Sequence, residues 1–356
     1  MKSYHKKRGE IVTPLFLSLP LMKKSTLFFT LLFLLFSSCA FSQDAQQLQE
    51  TAKTFMLQGD FNNAVLVLNR AIAIYPGNID MAKDLAFDYY MQKDYTRALA
   101  TIKPVIDGNN ADDQSYQIAG DIYKGLDQPK DCERLYKKGL EKFPESGALY
   151  NDLGELMGAD GDQNAIKEWE KGIQIDPSYS KNYYNASRYY SIIGDNVWSV
   201  IYGEIFLNME PLSPFTPELK GILLENYKKI FADADLTKKN KEKKNKFAAA
   251  FVACLNKETN IAAMGISPES LTMIRTRFIL DWYNQYAAKF PFRLFDLQQQ
   301  LIREGLFDAY NQWIFGTAQN LSDYQIWTNE HPADYANFNR FQKGRIFKVP
   351  AGQYYH

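Results

Sequence analysis

Between residues 45 and 211 the apolar positions come in paired amphipathic stretches with helical spacing, separated by short polar turns. The triplet Phe61, Ala64, Leu68 returns as Tyr95, Ala98, Ile102, and again as Pro129, Cys132, Tyr136, each set displaced by 34 residues. Prolines end four of the units, Pro76, Pro144, Pro177 and Pro211, at spacings of 68, 33 and 34. A fixed period of this length predicts two helices per unit and a stack in which each unit buries one face against the next.

Five copies can be laid in register. The first, residues 45–78, places Ala52 on its first helix, Gly59-Asp60 at the turn, then Phe61, Ala64, Leu68, Ala71 and Pro76. The second, 79–112, carries Ala86, Tyr89, Lys93-Asp94, Tyr95, Ala98, Ile102 and Val105, with Asn110 where the others have proline. The third, 113–146, carries Gly120, Tyr123, Pro129, Cys132, Tyr136, Gly139 and Pro144. Pro129 suits a first helical turn, where no backbone donor is needed. The fourth, 147–179, is one residue short and shows Leu153, Gly154, Gly161-Asp162, Ala165, Trp169, Gly172 and Pro177. The fifth, 180–213, keeps Gly194-Asp195, Gly203, Phe206 and Pro211, but Ser187 and Ser199 replace the small apolar residues.

This pattern resembles the tetratricopeptide repeat (TPR) family, in which small residues let two helices cross closely and a bulky residue plugs the gap beside them. The resemblance covers residues 45–213. It implies an all-α helix-turn-helix solenoid of about five repeats, with a groove lined by the first helix of each unit. In the family, side chains on that groove commonly meet an extended peptide or a partner helix. By position these are Lys83, Phe87 and Tyr90; Gln117, Asp121 and Lys124; Asn151 and Glu155; and Tyr184 and Arg188. Mixed charge with aromatics suits a peptide or protein ligand. The set departs from the clamp by which some family members grip a C-terminal carboxylate, since Lys53 stands where that clamp needs Asn.

Pro211-Leu212-Ser213-Pro214 interrupts the array, and Thr216-Pro217-Glu218 can start a helix that covers the last repeat. A basic cluster from Lys238 to Lys246 follows and reads as a solvated segment. Helical patterns resume over residues 247–256, 268–289 and 297–315. Ser267-Pro268-Glu269-Ser270 supplies a cap, a first-turn proline and a first-turn carboxylate. Trp327, Tyr335, Phe338, Phe341, Phe347 and the residues from Val349 to Tyr355 give the tail an aromatic density that predicts packing. The chain therefore divides, on sequence, into a signal segment (1–42), a repeat superhelix (43–213), a capping helix with basic linker (214–246) and a helical, aromatic-rich C-terminal domain (247–356).

The signal segment changes the picture of where the chain works. Lys23-Lys24 precede an apolar run from Leu27 to Phe36, and Ala40-Phe41-Ser42 supplies small residues before a polar stretch. Charged head, short apolar middle and small-residue exit make a secretory signal with a start at Met22. Two processing routes stay open, cleavage after Ser42 and lipidation at Cys39. Both deliver a bacterial protein to the periplasm or the outer membrane, with membrane contact only through an anchor at Cys39. Residues 1–42 carry six of the 41 basic residues and one of the 41 acidic residues, so the net charge beyond Ser42 is −5. Such a balance gives no reason to expect nucleic-acid binding.

Candidate chemistry is sparse. Of three histidines only His331 is internal, and no zinc, phosphate-loop or nucleophile-elbow spacing occurs. Asp160-Gly161-Asp162-Gln163-Asn164 spaces oxygens like a calcium loop, but Ala165 stands where glycine is needed and Lys171 where a carboxylate is needed. Cys132 and Cys254 read as packed thiols. The expectation is a non-enzymatic interaction scaffold of the cell envelope, with no cofactor, no metal and a protein or peptide partner. The alternative is an envelope enzyme or glycan-acting protein using Asp281, Asp296 or Glu304 in the C-terminal helices.

Overall fold

The computed structural model describes residues 45–232, Leu236 and residues 245–356. The signal segment with Cys39 and Ser42, and the basic cluster from Lys238 to Lys244, lie outside the described residues. Among the described residues all regular structure is helical. None of their helices is long and apolar enough to cross a membrane. Residues up to Asp88 and residues from Tyr89 onward make two separate compact units.

The first unit holds α1 (residues 45–57), α2 (Phe61–Ile74) and most of α3 (Ile79–Met91). Ala52, Ala64, Leu68 and Ala71 are fully buried, as the period requires. Asp60 caps α2 by accepting from the Asn63 backbone N–H at 3.2 Å.

The second unit continues the pairs as α4 (Tyr95–Asp107), α5 (Asp113–Gly125), α6 (Pro129–Lys142), α7 (Gly147–Ala159), α8 (Ala165–Ile175), α9 (Ser180–Ile193) and α10 (Asn196–Met209). The same two devices set each hairpin. One residue per inter-helix turn takes a left-handed backbone: Gly59 (φ 74°), Lys93 (61°), Asp127 (57°), Gly161 (77°) and Gly194 (79°). The turn geometry therefore holds even where glycine is absent, at a strain of about 1 kcal/mol for each non-glycine residue. The second device is close helix crossing. A Cβ on Gly120 would sit 2.2 Å from the Tyr136 hydroxyl, and one on Gly154 would sit 2.5 Å from Trp169 Nε1. In the fifth copy Ser187 and Ser199 each donate to the other's backbone carbonyl at 2.8 Å, which satisfies the hydroxyls that replaced small apolar residues. In the fourth copy the N-cap position of the second helix, Asn164, makes no side-chain cap bond. Asp162 accepts from the Asn164 backbone at 2.8 Å, and α8 starts only at Ala165.

Beyond the repeats come α11 (Thr216–Ile230), α12 (Lys246–Asn256), α13 (Thr259–Ala262), α14 (Pro268–Gln285) and α15 (Arg293–Arg303). They are followed by α16 (Phe307–Asn311), a π-helical turn Gln312–Gly316, α17 (Thr317–Gln319), α18 (Leu321–Glu330) and α19 (Pro332–Lys343). The sequence pattern predicts one helix over 297–315; the structure breaks it at Gly305, whose φ of 70° ends α15 and lets α16 set off from Leu306. Ser267 and Ser270 form a reciprocal capping box at the start of α14. His331 joins α18 to α19, its ring stacked on Trp327 at 4.8 Å.

α10 is where repeats and C-terminal helices share a core. Eleven of its fourteen residues are buried, because α9 and α11 cover one side and the C-terminal helices the other. One hydrophobic cluster runs from Ala165 through Trp198 to Val349, with Phe247 against Trp282 (5.2 Å), Phe292 (5.1 Å) and Tyr355 (4.6 Å). Within it lies a buried ion pair. Glu204 of α10 accepts from Arg275 of α14, from Gln298 (2.7 Å) and from the Tyr310 hydroxyl (2.7 Å). Arg275 also donates to Asn311, and its guanidinium lies 5.2 Å from the Phe315 ring centre. Residues after α19 return to the repeats: His356 Nδ1 lies 2.6 Å from Glu170 on α8.

Candidate functional site

The first helices of successive repeats lie side by side, α5 on α7, α7 on α9, and α9 on α11. Their polar side chains join across each step at close to the repeat period. Gln117 of α5 donates to Asp152 of α7 at 2.9 Å. Asn185 of α9 donates to Asn151 (2.9 Å) and Glu155 (3.1 Å) of α7. At the third step Tyr184 donates to Glu218 of α11 at 2.7 Å, and Arg188 pairs with the same carboxylate at 2.8 Å. Asn182 donates to the Gly147 carbonyl at 2.9 Å. These bonds fix the spacing between helices, so the side chains above them stand on a rigid base.

The predicted groove residues sort into two layers. Lys124, Glu155 and Arg188 are exposed, and Tyr90, Gln117 and Asp121 are half-buried. Asn151 is 0% exposed and Tyr184 8%, so both act as rungs beneath that surface. In the first unit Phe87 is 36% exposed, whereas Lys83 is buried with its ammonium 3.0 Å from Asp80. Lys124 pairs with Asp121 at 2.7 Å. Burial opposes the charge on Lys124, but Asp121, Asp152 and Glu155 outweigh it and lift its pKa. Burial pushes the Asp152 carboxyl up to about 6, against the lowering effect of its bonds from Gln117 and Asn151. Phe215 stacks on Tyr184 at 4.6 Å and is 39% exposed, beside Leu212 at 93%, giving the face an apolar end.

Sequence reasoning named Asn151 and Tyr184 but missed their partners Asp152, Asn185, Glu218 and Phe215. The missing signal was present as polar pairs separated by 34 or 35 residues: Gln117 with Asp152, Asn151 with Asn185, Tyr184 with Glu218. Of the residues considered for catalysis, Asp281 pairs with Lys257 at 2.9 Å, Asp296 accepts from Tyr283, and Glu304 accepts from Gln300 at 2.8 Å. Each is held by a different partner. Among the described residues no group of three or more His, Cys, Asp or Glu is placed to hold a metal. Cys132 and Cys254 are buried free thiols, pushed up to about 11 and about 12 by burial.

The sequence profile of the tetratricopeptide repeat matches residues 55–122. Among solved structures, the chain is similar to TTC0263, a thermophilic TPR protein of Thermus thermophilus (13% identity, TM-score 0.42, 51% of this chain and 98% of that one). It is also similar to a tetratricopeptide repeat protein of Parabacteroides merdae ATCC 43184 (15% identity, TM-score 0.40, 73% of this chain and 99% of that one). A third is MamA from Desulfovibrio magneticus RS-1 (14% identity, TM-score 0.38, 48% of this chain and 97% of that one). Among curated proteins no match to this sequence is found. Residues 55–122 match the tetratricopeptide repeat, and helix pairs of the same kind continue onward to Met209.

Proposed function

We propose that this chain is a non-enzymatic scaffold of the bacterial cell envelope that grips an extended peptide or a partner helix on the first-helix face of its repeats. The carrying observation is the two-layer construction of that face: buried rungs at Asn151, Asn185 and Tyr184 hold exposed Lys124, Glu155 and Arg188 at fixed intervals. A rigid row of alternating charge with an aromatic end at Phe215 suits a ligand read along its length. The C-terminal helices pack on α10 and α11, at the end of the repeat array.

The test is capture from the native envelope with full-length chain, comparing wild type with Lys124→Glu/Arg188→Ala. The reading expects one protein recovered by wild type and lost by the variant at unchanged thermal stability. Equal recovery by both would remove the face from the account. Export rests on the pattern from Lys23 to Ser42 alone. Cell fractionation with sequencing of the mature N-terminus checks it, and a chain recovered whole from the cytoplasm would contradict it.

A further inference from the structure

The helical run from Phe307 to Gln319 is interrupted by a π turn at Gln312–Gly316. Such turns cost regular hydrogen bonding and concentrate at functional sites. Here the turn shapes one wall of a cavity of about 230 Å³ between the start of α14 and the start of α18. Room for roughly eight waters fits one small ring rather than a drug-sized ligand. Gly316 lets Tyr324 and Gln312 close on the turn, since a Cβ there would lie 2.7 Å from Tyr324 Cδ2 and 2.8 Å from Gln312 Oε1.

The lining is polar and carries no cation: its side chains include the carboxylates Glu269 and Asp323, the amides Gln312, Gln319 and Asn320, and the ring of Tyr324. Gln312 is 2% exposed and donates to Glu269 at 2.7 Å, while Ser267 donates to the other Glu269 oxygen at 2.7 Å. Burial would raise the Glu269 pKa, but the bonds from Ser267 and Gln312 hold it below the usual range, so it stays an acceptor. Both carboxylates sit in first helical turns, where the helix dipole offsets their charge. An anionic ligand would meet two carboxylates and no counter-charge. Hydroxyl groups, which donate and accept at once, match acceptor carboxylates interleaved with amides, and an aromatic ring suits the C–H face of a saturated ring.

We propose that this cavity binds a neutral, polyhydroxylated ring the size of one monosaccharide, a site separate from the first-helix face and independent of what that face binds. The experiment uses the full chain with glucose, galactose, mannose and N-acetylglucosamine as probes, by saturation-transfer NMR and calorimetry. At least one sugar is expected to bind saturably in the millimolar range, and Gly316→Ala to weaken it at least tenfold (about 1.4 kcal/mol) by displacing the lining side chains Tyr324 and Gln312. Asp323→Asn, on an exposed side chain, provides a second variant with the same expected direction and an unchanged thermal midpoint. Absence of saturable binding by all four sugars would overturn the proposal. So would wild-type affinity in both variants, or binding of ethylamine in place of every sugar, which would mark a cation site.

Discussion

The repeat segment from α5 to α9 and the C-terminal helices around α14 use polar groups in opposite ways. In the repeats, polar side chains form several modest single links between neighbours, each bridging one first helix to the next at close to the repeat period. In the C-terminal region a single charged hub, Glu204 with Arg275, gathers α10, α14, α15 and α16 at one point inside an aromatic core. Distributed links let a surface be built by repetition, and loss of one leaves its neighbours in place. A hub concentrates the cost, because removing either partner strands a buried charge.

The sharpest way to break this contrast is to remove one member of each kind. Glu204→Ala is expected to destabilise residues 89–356 by about 3–5 kcal/mol, read from urea denaturation. Asn151→Ala is expected to cost only about 1–2 kcal/mol in the same assay. Similar losses from the two would erase the distinction.

The ladder also carries a pH signature. Asp152 binds its proton more tightly folded than unfolded, its carboxyl being near 6 against an ordinary 3.8. The folded state therefore holds more protons between those values, and stability falls as pH rises from about 4 to about 6. Asp88, in the first unit, acts in the same direction, pushed to about 7 by burial and then by Asp84, with both oxygens lacking a hydrogen-bond partner. Asp152→Asn is expected to flatten roughly 3 kcal/mol of this dependence, seen as denaturation midpoints of residues 89–356 that drop less between pH 4 and pH 6. An unchanged slope would mean that Asp152 does not titrate there.

The smallest expected effect concerns turns. Lys93→Gly and Asp127→Gly place glycine where φ is 61° and 57°, and each is expected to raise stability by about 0.5–1 kcal/mol in thermal unfolding.

Much of the repeat architecture was legible because close crossing and left-handed turns constrain residue type at fixed intervals, as Gly154 beside Trp169 shows. The break at Gly305 was readable in principle, but apolar spacing on both sides, from Leu301 to Leu306 and Tyr310, continued the helical period across it. The exposed first-helix positions Lys124, Glu155 and Arg188 were legible from the register. The buried rungs were not, because Asn151 and Tyr184 look like surface residues until the neighbouring helix supplies Asn185 and Glu218. The Glu204–Arg275 pair is separated by 71 residues and belongs to no period, so nothing in the chain announces it.

The most direct test places a photo-crosslinking amino acid at Glu155, on the first-helix face, and separately at Lys137, exposed on the second helix α6, in living cells. The account predicts a discrete crosslinked protein from position 155 and none from position 137. Equal crosslinking from both, or none from 155, would contradict a binding face built on the first helices.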